Sequence, residues 1–146
     1  MRIWNWQLLP YLPDLQFKGQ LRELVAILRD WQDKGKTNHI LINKVMEYPK
    51  SHLLRYYSLY SSEYKRRYHK EIGIKITRQF IDFCFDDDYK FVEDPFPDWH
   101  NNMYLKIAMA NLLEKHMGVG KSRITDDEWK RLCDGYKLIT GREYVL

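Results

Sequence analysis

DLQFKGQLRELVAILRDWQDK, residues 14–34, decides the fold class of this chain. Leu21, Leu24, Val25, Leu28 and Trp31 or Gln32 recur at i, i+3, i+4 and i+7, the spacing of one face of an α-helix. Asp14 after Pro13 suits an N-cap, and Gly35 after Lys34 suits the stop, so the helix is bounded at both ends. Arg22 and Glu23 interrupt the stripe. Adjacent helix residues point about 100° apart, so these two do not pair with each other. Glu23 stands beside Leu24 and one turn before Ile27, which predicts partial burial, and a carboxylate there calls for a cationic partner. A free N-terminal amine folded onto the same surface would be one. Periodicity alone favours the plainer reading, two side chains with solvated tips.

Outward from this stretch the pattern stays helical. A second helix is predicted to start near Pro49–Ser51 and end before Gly73, with Leu53, Leu54, Tyr57, Tyr60, Tyr64 and Tyr68 on its apolar face. Lys50, Arg55, Lys65, Arg66, Arg67 and Lys70 hold its other face. Ile74–Phe85 fits a short helix capped by Thr77 or a strand. Asp86-Asp87-Asp88 and Asp94-Pro95-Phe96-Pro97 read as loop. A third long helix is predicted over about Asp98–Met117, with Met103, Ile107, Ala110, Leu113 or Glu114 and Met117 along it. Thr125-Asp126-Asp127-Glu128 is a capping box that opens a last helix carrying Trp129, Leu132, Cys133 and Tyr136. The expected architecture is all-α: one domain over residues 1–146, with about three long helices, shorter helices and loops.

The length of 146 residues suits a single core, and 45% hydrophobic with 30% charged residues excludes a disordered chain. The net charge of +4 is modest, but it is unevenly spread. Residues 1–78 hold 15 Lys/Arg against 7 Asp/Glu, a net of +8, while residues 79–146 hold 9 against 13, a net of −4. With 11 Tyr and 5 Trp, several of the tyrosines among basic residues, this polarity suits a polyanion that also stacks. No run approaches the ~20 apolar residues of a membrane span, and the Pro-interrupted start lacks the features of a secretory signal. Cys84 and Cys133 fall in no CxxC spacing, and the five histidines show no ligand spacing. The expectation is a cytoplasmic protein with no metal and no cofactor.

Specific motifs narrow the partner. MRIWNWQLLPYLPDLQFKGQLREL, with Arg22-Glu23-Leu24 on the first helix, resembles the start of the pyrimidine-dimer DNA glycosylase (endonuclease V-type) family. Gly35-Lys36-Thr37-Asn38-His39 resembles that family's Gly-Lys turn and the Asn-His of its cellular members. Glu63-Tyr64-Lys65-Arg66-Arg67-Tyr68 resembles the end of its middle helix, without the usual Gly. Trp99-His100 through Leu113-Glu114-Lys115 loosely resembles its last long helix. Each motif is short, and their common order over most of residues 1–115 carries the resemblance.

The resemblance implies a metal-independent glycosylase with abasic-site lyase activity. The N-terminal α-amine attacks sugar C1′ of a damaged nucleotide, a Schiff base forms, and β-elimination cuts the strand. An α-amine titrates near pH 8, so far more of it is nucleophilic at neutral pH than of a lysine. Met1 and Glu23 are the implied catalytic residues. Glu23 would protonate the opening sugar and take up the proton lost in elimination. Arg2, Arg22, Arg29, Lys36, His39, Lys65, Arg66 and Arg67 are the implied DNA contacts, on damaged double-stranded DNA that is bent or unstacked to expose C1′. Three departures stand out. Arg2 blocks removal of the initiator Met, an arrangement shared with cellular members that begin Met-Arg-Leu-Trp. Ala26 occupies a position where the family carries a basic residue, and the aromatic-basic C-terminal tail is only echoed. They leave a second expectation open: a non-catalytic nucleic-acid- or anion-binding protein on the same scaffold.

Overall fold

Five α-helices and two 3₁₀ segments make up the computed structural model, which describes residues 2–120 and 123–145. In chain order these are a first 3₁₀ segment Trp6–Tyr11, α1 Asp14–Lys34, a second 3₁₀ segment Ile40–Glu47, α2 Lys50–Tyr68, α3 Ile74–Cys84, α4 Asn102–Met117 and α5 Asp126–Thr140. No strand occurs among the described residues. The all-α expectation holds, and the ambiguous stretch resolves as helix α3.

The reason lies in what α3 meets. Phe80 stacks on Tyr57 of α2 with ring centroids 4.1 Å apart, and Phe83 meets Trp31 of α1 edge-on at 5.6 Å. These contacts come from one helical face, whereas strand alternation would send Phe80 and Phe83 to opposite sides. Thr77, expected as a cap, lies inside the helix, 2.8 Å from the Tyr57 hydroxyl. Gly73 takes the cap position instead.

α1 starts one residue from its expected cap. Pro13 is the N-cap and Asp14 lies in the first turn, where its carboxylate accepts from the Tyr68 hydroxyl and pairs with Lys18 at 3.1 Å. Gly35 ends the helix in the left-handed conformation, φ 71°. The buried stripe of α1 is Phe17, Gln20, Leu24, Ile27 and Leu28, with Leu21, Val25 and Trp31 flanking it half-buried.

Two expected faces are corrected. On α2 the buried positions are Ser51, Leu53, Tyr56, Tyr57, Tyr60 and Glu63, while Tyr64 and Tyr68 are only half-buried. On α4 the buried residues are Leu105, Ala108, Met109 and Leu112, and the expected core residues Met103, Ile107 and Met117 are exposed. α4 is apolar on both faces, so periodicity could not choose between them. It also begins at Asn102, because Asn101 caps it through the Tyr104 amide (3.0 Å); Trp99 and His100 sit before it in a buried turn.

α5 opens on the expected capping box: Thr125 accepts from the Glu128 amide at 3.1 Å, and Glu128 accepts from the Thr125 amide at 2.9 Å. It packs against α4 and the first 3₁₀ segment. A Cβ at Gly135 would lie 2.4 Å from the Tyr11 ring, so only glycine allows this approach.

Candidate functional site

The short strip Arg2–Asn5 precedes the first helical turn, and its backbone is held by side chains from three helices. Gln20 of α1 donates from Nε2 to the Arg2 carbonyl (2.9 Å) and accepts at Oε1 from the Trp4 amide (2.8 Å). Tyr104 of α4 donates to the Ile3 carbonyl at 2.6 Å, and Tyr56 of α2 donates to the Trp4 carbonyl at 2.6 Å. His100 Nδ1 accepts from the Trp6 amide (3.2 Å), and Asn5 Oδ1 caps the 3₁₀ segment through the Gln7 amide (3.0 Å). Ile3, Trp4 and Asn5 are buried, so these bonds replace the water that a terminal segment would otherwise hold. Burial pushes the Tyr104 hydroxyl up to about 12 and holds Tyr56 well above the usual phenol range. Both stay neutral donors across the physiological range.

A cleft of about 420 Å³ opens between this strip and α1, lined by Arg2, Trp4, Gln20, Arg22, Glu23 and Lys115 among others. The fold thus brings together three of the residues picked out by sequence, Arg2, Arg22 and Glu23. Glu23 lies on the same face of α1 as Gln20, one turn on, and is half-buried, as expected. Its carboxylate enters no ion pair among the described residues. Arg22 is exposed, and the Arg2 guanidinium lies over the Trp4 ring, 4.6 Å from its centroid. Met1 lies outside the described residues.

The other expected DNA contacts are not in the cleft. Arg29 is exposed farther along α1. Lys36 and His39 are exposed on the turn after it. That turn is built by Thr37, whose amide and hydroxyl both donate to Asn43 Oδ1 (2.7 and 3.0 Å). At the end of α2, Glu63 is buried and gathers both arginines: Arg66 Nε at 2.7 Å and Arg67 Nε at 2.7 Å. Burial pushes the Glu63 carboxyl up, but the two guanidinium donors outweigh it and hold the group below the usual carboxylate range. Arg67 also donates to the Leu9 carbonyl (3.0 Å) and lies 4.1 Å over the Phe17 ring. Its side chain is only 10% exposed, so its charge is committed inside the fold. Arg66 and Lys65 remain exposed, and Lys65 pairs with Glu71 at 3.3 Å.

Sequence reasoning missed Gln20, Tyr56, Tyr104 and Lys115. A glutamine within an otherwise apolar stripe was the one available signal, because a buried amide must find partners. Lys115 comes from the acidic half of the chain, and only the tertiary fold carries it to the cleft. A second groove, of about 400 Å³, shares Arg2 with the cleft and exposes Leu41, Met103 and Ile107 beside Lys44. Among the described residues no group of three or more His, Cys, Asp or Glu is placed to hold a metal ion, and no helix is long and apolar enough to cross a membrane.

No curated protein and no solved structure matches the chain. The family model of the pyrimidine dimer DNA glycosylases matches residues 1–76. That span contains the clamped strip, Gln20, the Arg22-Glu23 pair, the Gly-Lys turn and all of α2. The chain belongs to the pyrimidine dimer DNA glycosylase family.

Proposed function

We propose that this protein is a DNA repair glycosylase with abasic-site lyase activity, using the α-amine of Met1 as nucleophile and Glu23 as its acid–base partner. The observation that carries the reading is the convergence of Arg2, Arg22 and Glu23 on one cleft beside the clamped strip that follows Met1. Damaged, pyrimidine-dimer-like double-stranded DNA is the substrate this family implies.

The neutral amine attacks C1′ while the glycosidic C–N bond breaks and its electron pair leaves with the base, which takes a proton from solvent; the proton shed by the attacking nitrogen passes to the Glu23 carboxylate. Ring opening, as Glu23 passes that proton on to the sugar ring oxygen, yields a protonated Schiff base. The carboxylate at the cleft stabilises that cation as it forms. Loss of a C2′ proton to Glu23 then expels the 3′ phosphate, breaking the C3′–O bond. Water hydrolyses the Schiff base and returns the free amine. No metal is needed for any of these steps. Arg2, Arg22 and Lys115 flank the cleft as phosphate contacts, with Arg29, Lys36, His39, Lys65 and Arg66 as outlying ones. The reading keeps the expectation of a cytoplasmic enzyme, which suits its free thiols Cys84 and Cys133.

Borohydride reduction on duplex DNA containing an abasic site tests the chemistry, after intact mass has established that the chain begins with an unblocked Met1. The expected result is a covalent adduct at the N-terminal peptide, lost on reductive methylation of the amine and reduced on the order of 10²-fold or more in Glu23→Gln. DNA retention without an adduct would replace this reading with the non-catalytic binding protein.

A further inference from the structure

We propose that Gln20 is a positioning residue for the reaction: its amide holds the strip that leads to the N-terminal amine in register with Glu23. The inference rests on the Schiff-base reading above and goes beyond it, because Gln20 acts through the strip it holds. One planar amide grips two backbone groups of the strip, the Arg2 carbonyl and the Trp4 amide, at 2.9 and 2.8 Å. Residues 20 and 23 are one turn apart on the same rigid helix, so gripping the strip at Gln20 also registers it against Glu23. Met1 is joined directly to the gripped Arg2, and consecutive Cα atoms are about 3.8 Å apart. The amine is therefore one residue along the chain from a gripped group. Tyr56 reinforces the grip by donating both to the Trp4 carbonyl and, at 3.2 Å, to Gln20 Oε1. Tyr104 closes the remaining carbonyl, that of Ile3.

The residue type is dictated by this geometry. The strip offers Gln20 one donor and one acceptor, and only an amide answers both while staying neutral. Gln20 is 1% exposed, so no water could substitute. An ionised glutamate would still accept from Trp4, but it would set a second acceptor against the Arg2 carbonyl. A protonated glutamate would restore the missing donor.

That difference gives a readout which a merely structural role would not move. Single-turnover adduct formation is followed on saturating abasic-site duplex for wild type, Gln20→Glu, Gln20→Leu and Tyr104→Phe across pH 5–8, with duplex affinity measured in parallel. In Gln20→Glu the rate should fall about 10- to 100-fold at pH 8, since ångström-scale misplacement costs this much. Affinity should stay within a few-fold of wild type, and the deficit relative to wild type should shrink as pH falls. Gln20→Leu should show a deficit that does not change with pH, and Tyr104→Phe, which keeps the ring, a smaller loss in the same direction. Wild-type rates in folded Gln20→Glu and Tyr104→Phe would overturn the proposal and leave the Schiff-base reading standing. A pH-independent deficit in Gln20→Glu would reduce Gln20 to a structural residue. Absence of any adduct in wild type would remove the underlying reading, and this proposal with it.

Discussion

His100 is a buried histidine that the fold keeps neutral. Its Nδ1 accepts from the Trp6 amide, and its ring is enclosed by Tyr56, Phe96, Trp99 and Tyr104. Burial lowers its proton affinity, to a pKa of about 3. The unfolded chain binds the proton near pH 6.5, so the folded state cannot follow as the medium acidifies. Stability should therefore fall as pH drops below about 6.5, by up to about 1.4 kcal/mol per unit, until about pH 3. His52, whose Nδ1 accepts from the Phe96 amide at 3.0 Å, is lowered by burial too and adds to the slope. The acid-sensitive carboxylates Asp14 and Glu63 enter only at lower pH, since both are held below their usual values. Urea unfolding at pH 6.5 and pH 5 isolates the histidines. His100→Asn should be less stable than wild type at pH 6.5, yet lose about 1.6 kcal/mol less on moving to pH 5. Equal losses in the two proteins would mean that His100 is protonated in the fold.

At the scale of elements, α5 shows local propensity yielding to tertiary contact. Gly135 is inside the helix, where alanine would normally gain about 1 kcal/mol. The Tyr11 ring stands where its Cβ would go, and Tyr11 belongs to the segment that Arg131 also fastens by donating to the Pro10 carbonyl at 2.7 Å. Gly135→Ala should therefore destabilise the protein, by about 1–2 kcal/mol net of the propensity gain. A raised melting temperature in thermal denaturation would contradict this packing. Such couplings separate what the sequence disclosed from what it did not. The capping box of α5 and the glycine stop of α1 were readable because a few neighbouring residues determine them. The buried face of α4 was not, because Leu105, Ala108, Met109 and Leu112 line one side of the helix while Met103, Ile107 and Met117 line the other, and its partners decide. The same division runs through the site. Arg22-Glu23 is a local motif on a helix, whereas Gln20 gains its meaning only from Arg2 and Trp4, and Lys115 only from the packing of α4.

At the scale of the molecule, the basic front half proves less uniformly available than its net of +8 implies. Glu63 neutralises much of the Lys65-Arg66-Arg67 cluster from within, and Arg67 is stacked on Phe17 under the surface. The acidic half in turn contributes Lys115 to the cleft. Counting charges by sequence segment thus misassigns both. Salt titration of duplex binding distinguishes the two kinds of cation, because each phosphate that the protein no longer neutralises lowers the slope of log affinity against log salt by about 0.9. Arg22→Gln and Lys115→Gln should each reduce the slope by about that amount and weaken binding most at low salt, with little change in melting temperature. Arg67→Gln should leave the slope unchanged while costing about 2 kcal/mol of stability, since it strips a buried carboxylate of one of its two partners. A slope reduced by Arg67→Gln but not by Lys115→Gln would put the DNA along the end of α2. The bound strand would then run away from Glu23, against the proposed meeting of amine and sugar in the cleft.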